Sequence, residues 1–359
     1  MSKKPLSLNI FHKLLLTLLL VTLVPLLGLW YLGANQSKQE ITGHITQTFV
    51  ATAASLATSI TAWDDTNVRL LHQTARQADI VSMQGARQNP ILKTIAETYE
   101  WAFVVFTIAP DGGGVGRSDF NPLVNYAERS YFQAAMRGDG AARQVVISKT
   151  SGKPVLSLAA PIRNNGGDVL GVVAMAMTLT DIARIVSDAR VGETGYAILL
   201  DANNNVIAHG LPEKRANSVQ DFSLYPALRL AGVTEAPRVY QDNGKQLLAY
   251  VRKLPQGWTL IIEQDYAEAY AALDSMERNA RQLIAATTVL VAAIAFFLSK
   301  RLTRPINHLT AVAQKLSSGQ FQLAIPQTAR GDEIGSLARA IERLGISIEL
   351  AMDRLRRKA

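Results

Sequence analysis

The chain has 359 residues, 48% hydrophobic and 18% charged, too apolar for a disordered polypeptide and suited to a folded protein with membrane segments. Thirty-seven Lys and Arg against 29 Asp and Glu give a net charge of +8, which on composition alone admits nucleic acid or anionic lipid as a partner. The absence of cysteine excludes disulfides, thiolate metal sites and a cysteine nucleophile, so every lobe must be held by its core.

Residues 1–13 carry Lys3, Lys4 and Lys13 and lead into LLLTLLLVTLVPLLGLWYL, residues 14–32, a stretch without charge that is long enough to cross a bilayer. A cleaved signal sequence is the alternative reading. Against it, the apolar run exceeds a usual h-region and no small-x-small site follows. Pro25 is tolerated in a lipid-embedded helix. Residues 35–82 contain Gly43 and no Pro, and Ile41, Ile45, Phe49, Ala53, Leu56, Ile60, Trp63, Val68 and Leu71 recur at helical spacing. A long helix is predicted, either packed on its own domain or also pairing with a second subunit. Asp64 and Asp65 beside Trp63 read as a solvated face.

Short apolar runs with turn punctuation follow. Strands are predicted at 101–108, 144–148, 154–162 and 169–179, with Thr180-Asp181 capping a helix over 182–186. Gly112, Gly113 and Gly114 read as a turn. A second round at 195–210, 246–254 and 257–265 predicts another small lobe, and both lobes read as antiparallel meanders. A helix over 266–281 then enters a second predicted span, residues 282–299, around LIAATTVLVAAIAFFL. Lys300, Arg301 and Arg304 follow that span as Lys3, Lys4 and Lys13 precede the first, which predicts both termini in the cytoplasm and residues 34–281 outside, in the periplasm if the organism has one.

RSYF at 129–132, ISKTSGKPVLSLAAPI at 147–162, GETGYAILLDANNNVIAH at 192–209 and GWTLIIEQ at 257–264, in this order, resemble the tandem Cache family of bacterial receptor sensor domains. The resemblance spans nearly all of residues 34–281. It implies a PAS-like antiparallel sheet in a distal lobe (about 85–185) and in a proximal lobe (about 190–265), with a small-molecule site in the distal one. Arg129, Tyr131 and Phe132 are then the first ligand candidates, joined by Tyr126 and Lys149. Their chemistry is suitable in itself, since an arginine fork matches a carboxylate and aromatic rings supply apolar walls. The plain readings are a salt bridge from Arg129 to Glu128, core packing for Tyr131 and Phe132, and a solvated turn for Lys149. The family's amino-acid-binding branch adds an Asp for the ligand's ammonium, but the corresponding strand here reads GVVAMAM (171–177). A small organic carboxylate without an ammonium is therefore the expected ligand.

After the second span, Ile306, Leu309, Ala313 and Leu316, then Ile334, Leu337, Ile341, Leu344, Ile348 and Ala351, follow coiled-coil spacing. With Pro305 at the start and GDEIG at 331–335, residues 300–353 resemble a HAMP domain. That implies a parallel dimeric four-helix bundle in which Pro305 and Glu333 belong to the relay, although Glu333 also suits the helix dipole without any signalling role. The basic tail 354–359 reads as a solvated helix end or a contact for anionic lipid or acidic protein. No catalytic constellation is found, and His12, His44, His72, His209 and His308 lack ligand spacing, so neither enzyme activity, a metal nor another cofactor is expected. Residues 300–359 carry a net +6 and residues 34–281 a net −1, so the basic excess reflects topology and no nucleic-acid partner is expected. The fold class is thus an α+β membrane protein with two spans, tandem PAS-like lobes and a coiled-coil helical pair. The function expected is a homodimeric receptor for a small molecule, without an output domain, that signals to a separate kinase, cyclase or phosphatase. The alternatives are the front half of a sensor histidine kinase, chemoreceptor or PP2C-type phosphatase, and a membrane scaffold whose outer lobes bind a protein.

Overall fold

The computed structural model describes residues 10–211, 214, 218–230, 232 and 236–356; Lys3, Lys4, Arg357 and Lys358 lie outside them. Helix α1 runs unbroken from Ile10 to Ala75 through Pro25. Its first part is long and apolar enough to cross a membrane, and Val21, Leu29 and Leu32 stand exposed along it. The chain divides into two compact units, Gln39–Ala272 and the pair of segments Met1–Lys38 and Leu273–Ala359.

In the first unit, α1 is followed by α2 (Ala78–Val81) and α3 (Gly85–Thr98), then by β1 (Ala102–Ile108), β2 (Gly114–Arg117), α4 (Ser130–Met136), β3 (Ala142–Ile147), β4 (Pro154–Arg163), β5 (Val169–Met177) and α5 (Thr180–Asp188). The proximal lobe repeats the plan with β6 (Tyr196–Leu200), β7 (Val206–His209), β8 (Arg238–Asp242), β9 (Lys245–Lys253) and β10 (Thr259–Asp265). Both sheets have five antiparallel strands, ordered β2-β1-β5-β4-β3 and β7-β6-β10-β9-β8. This corrects the meander: the first and last strands of each lobe pair at the sheet centre, because only two-sided pairing buries the continuous apolar runs of β5 and β10. The PAS-like sheet implied by the resemblance is present in each lobe.

One face of both sheets packs on α1. Phe49, Ala53, Leu56, Ile60 and Leu71 of the helix join Leu156, Leu158 and Met175 of the distal sheet and Leu199, Leu260 and Ile262 of the proximal sheet in one core. The stripe thus belongs to the helix's own domain. Asp64 is not on a solvated face: it is 2% exposed and forms a bidentate pair with Arg143 of β3 at 2.8 and 2.6 Å. The predicted cap at Thr180-Asp181 is also corrected. Residue Leu179 occupies the N-cap without a side-chain hydrogen bond, and Asp181 lies in the first turn, paired with Arg184 at 2.5 Å.

The exit helix is interrupted. Short α6 (Tyr266–Ala269), capped by the Asp265 carboxylate on Ala267 N–H at 2.8 Å, breaks at Tyr270 before α7 (Ala271–Leu298). In the second unit, α7 is the second helix apolar enough to cross a membrane. A π-helical turn, Ser299–Thr303, joins it to α8 (Arg304–Ser317), and Arg304 N–H closes a five-residue bond to the Ser299 carbonyl. Pro305 follows at once; lacking an N–H, it cannot donate to the Arg301 carbonyl, and the wider turn sits where the α-helical bond is lost. A connector containing a 3-10 turn, Pro326–Ala329, leads to α9 (Glu333–Arg356). Leu309, Val312 and Leu316 of α8 pack with Ile325 and Ala338, flanked by Phe321 and Leu323 from the connector.

Candidate ligand site

The distal sheet's second face carries the candidate site. Val104 and Phe106 of β1 lie opposite Ala176 and Ala174 of β5, and the small alanines make room for the aromatic residues of α4 and the loop before it. That loop is seated by Gly112, whose φ of +87° and lack of Cβ admit Ala127 where a methyl would lie 2.5 Å away. Tyr126 N–H donates to the Gly112 carbonyl at 2.8 Å, and the Tyr126 ring stacks on Phe106 at 4.6 Å.

Four of the five ligand candidates border one pocket: Tyr126, Arg129, Tyr131 and Lys149. Its free space is only about 20 Å³, room for about one water. Phe132 is not part of it; the ring is 5% exposed and packs into the apolar layer under α4. Tyr131 is 3% exposed, and burial raises its hydroxyl well above the usual tyrosine range. Arg129 donates from Nη2 to the Ile147 carbonyl at 3.1 Å and lies 3.5 Å from the Glu128 carboxylate. Lys149 is no free turn residue: its ammonium donates to the Asn125 carbonyl at 2.7 Å, pairs with Glu128 and faces the Tyr126 ring at 5.8 Å. That ion pair holds the Glu128 carboxyl below its ordinary value.

Beside the pocket lies a cluster that the sequence reading missed. Arg117, at the end of β2, is 2% exposed; it clamps Asp119 in bidentate fashion at 2.6 and 2.8 Å and also donates to Thr150 Oγ1 at 2.8 Å and Tyr126 Oη at 3.1 Å. The guanidinium pulls the Asp119 carboxyl down to about 2. Arg117 therefore positions Tyr126 and the Thr150 turn, and four of its five N–H donors are already committed. The sequence signal was slight, a basic residue closing the four-residue strand GVGR.

A second missed cluster lies in the proximal lobe. Glu263 on β10 is fully buried and accepts hydrogen bonds from the hydroxyls of Tyr196, Tyr225 and Tyr240 at 2.7, 2.8 and 2.6 Å. Burial pushes its carboxyl above 4.5, against the pull of the three hydroxyls, and Asp242 adds to the rise. A raised acid binds more protons in the folded state, so its contribution to stability is complete below pH 4.5 and is lost as pH rises through the raised value. The melting temperature of residues 34–281, measured against pH for wild type and for Glu263→Gln, is expected to differ most in favour of wild type in acid and to converge toward neutral pH. A constant difference would remove the linkage.

Glu263 stands two residues before the Asp265 cap. Just beyond, the Glu268 carboxylate accepts from Glu193 N–H at 2.7 Å, Thr194 N–H at 2.9 Å and the Thr194 hydroxyl. The G-E-T-G segment ahead of β6 thus grips the first turn of the exit helix.

Residues 33–273 match the Cache domain family, and residues 297–349 match the HAMP domain. The chain belongs to the Cache-domain family. Solved ligand-binding domains share the fold of the Cache segment. The sensory domain of the Campylobacter jejuni chemoreceptor Tlp3 with isoleucine bound has a TM-score of 0.52 at 15% identity, covering 65% of this chain and 97% of that one. The Pseudomonas fluorescens chemoreceptor CtaA domain in complex with L-serine has a TM-score of 0.51 at 18% identity, covering 64% and 98%. Among curated proteins, the methyl-accepting chemotaxis protein McpA of Pseudomonas putida is 25% identical over 89% of this chain and 50% of its own length. TlpA of Bacillus subtilis is 25% identical over 64% of this chain and 33% of its own length. The chain thus spans half or less of these relatives.

In the HAMP segment Asp332 accepts from Gly335 N–H at 3.1 Å at the head of α9 and pairs with Arg330 at 2.5 Å, which lowers its carboxyl to about 2. Glu333 occupies the first turn, where a negative charge meets the helix dipole. Of the predicted seam, Ile334 and Ile341 pack against α8 and the connector, whereas Leu337, Leu344 and Ile348 are exposed.

Proposed function

We propose that the chain is the sensing and relay part of a bacterial inner-membrane receptor. Both termini lie in the cytoplasm, the distal Cache lobe binds a small organic carboxylate outside, and the HAMP segment passes the change to a cytoplasmic signalling partner such as a kinase, cyclase or phosphatase. The observation that carries the ligand class is the convergence of Arg129, Lys149, Tyr126 and Tyr131 on one pocket bordered by a β5 that has no acid. A carboxylate exchanges with the Ile147 carbonyl and Glu128 for the two cations, and its entry widens the pocket by moving the loop that carries Tyr126 and Glu128. The exposed Leu337, Leu344 and Ile348 support a homodimer, because a second copy covers this stripe.

Amino acids are the second reading, favoured by the isoleucine and L-serine held by the Tlp3 and CtaA domains. A thermal-shift screen of both classes on residues 34–281 separates them. At a hundred times Kd a ligand stabilises by about 2.7 kcal/mol, a rise of roughly 5–10 °C for a segment of this size. Organic acids are expected to produce it and Arg129→Ala to abolish it. A full shift in Arg129→Ala would refute the site, and a response restricted to α-amino acids would refute the ligand class.

A further inference from the structure

The outer unit holds a space far larger than the distal pocket. A cavity of about 470 Å³ lies between the β3–β4 turn and α5 of the distal lobe on one side and β7 of the proximal lobe on the other. That volume falls in the range of small-molecule sites. The apolar part of its wall is firm: Val155 is 3% and Ile207 2% exposed. The polar part is one-sided in charge. Lys153 is the sole charged side chain among the described lining residues, which include no Asp or Glu, and the Lys153 ammonium has no hydrogen-bond or ion-pair partner among the described residues. His209, 4% exposed, accepts from Leu211 N–H at Nδ1 (3.1 Å), so its proton sits on Nε2 and that nitrogen is a donor.

We propose that this inter-lobe cavity is a second ligand site, adjoining the distal pocket at Val155 but with a cation of its own, for a small monocarboxylate with an apolar body. The apolar body packs on Val155 and Ile207, and the carboxylate faces Lys153, where no acid among the described lining residues competes for the ammonium. The site bears on signalling through its position. His209 stacks on Tyr196 at 5.3 Å, Tyr196 donates to Glu263, and β10 leads from Glu263 into the capped start of the exit helix. An occupant therefore touches both lobes at once, and its contact on β7 is relayed through β6 to the strand that carries the exit helix.

Benzoate is a suitable probe, with benzamide as its neutral isostere and benzylamine as the opposite charge. Saturation-transfer NMR on the full chain in lipid nanodiscs is expected to show benzoate bound and the other two at least tenfold weaker. Lys153→Gln, at an exposed position where folding is not at risk, is expected to weaken benzoate about tenfold, the loss of one charge-assisted hydrogen bond. Arg129→Ala is expected to leave it unchanged. Equal binding of benzamide, undiminished binding in Lys153→Gln, or no binding of any probe overturns the proposal. So does loss of benzoate in Arg129→Ala, which would move the probe to the distal pocket.

Discussion

Asp64→Ala is expected to lower the unfolding free energy of residues 34–281 by about 3–5 kcal/mol, because it leaves the Arg143 guanidinium in the core edge without its counter-ion. At roughly 2–4 °C per kcal/mol for a segment of this size, the melting temperature falls by about 10 °C. Both Asp64 oxygens are used by Arg143, at 2.8 and 2.6 Å, and the carboxylate side chain is only 3% exposed. This pair ties the middle of α1 to β3, the edge strand whose Val145 N–H also donates to Asp201 of the proximal lobe at 3.4 Å. The damage comes from the orphaned charge more than from the lost attraction. Asp64→Leu combined with Arg143→Met is therefore expected to recover most of the stability, since an apolar pair of similar volume avoids desolvating two ions. Denaturant titration of the two single variants and the double variant checks this. A loss under 1 kcal/mol in Asp64→Ala would place the pair in water.

The Asp64 pairing also shows where sequence periodicity stops being informative. The stripe from Phe49 to Leu71 was legible because its apolar residues recur at helical spacing, and those residues do form the face on which both sheets pack. Asp64 falls next to that face, and nothing local tells a solvated acid from one met by an arginine seventy-nine residues away. Most strands announced themselves by apolar runs between Gly and Asn turns, whereas the short β2 and the polar β8 did not, nor did strand order: hairpins can be read from turn residues, but the pairing of β1 with β5 is long-range and rests on burying the middle strands from both sides. Helix α3 carried the weakest signal. Its Gln88 is fully buried and binds the Thr107 hydroxyl at 2.5 Å, so a polar residue serves as core.

For the candidate site, Arg129, Tyr131, Tyr126 and Lys149 were named from the resemblance to the Cache family, and these four border one pocket. Arg117 escaped because its partners Asp119, Tyr126 and Thr150 are assembled from a strand end, a loop and a distant turn. Glu263 had a better signal, an acid directly after the apolar run TLII and in phase with the buried Ile261. Its tyrosine partners come from three separate elements, and only the fold brings them to one carboxylate.

Gly335→Ala is expected to destabilise the connector and α9 junction by about 3 kcal/mol, while the neighbouring Gly331→Ala is nearly silent. A Cβ on Gly335 would lie 2.0 Å from the Arg330 carbonyl oxygen and 2.6 Å from its carbon; one on Gly331 meets nothing within 4 Å. The clash has no cheap escape, because the Arg330 carbonyl is held by Arg339 Nη1 at 2.8 Å, and the same nitrogen also holds the Thr328 carbonyl at 3.0 Å. Moving Arg330 releases that clamp, and moving Gly335 breaks its hydrogen bond to Asp332 at the head of α9. The glycine of the Asp-Glu-x-Gly motif is thus required by the close passage of the connector over the first turn of the helix. Amide exchange over residues 326–345 of the full chain in nanodiscs should accelerate on the order of a hundredfold in Gly335→Ala and stay unchanged in Gly331→Ala. Equal exchange in the two variants would mean that the connector yields freely and does not fix the start of α9.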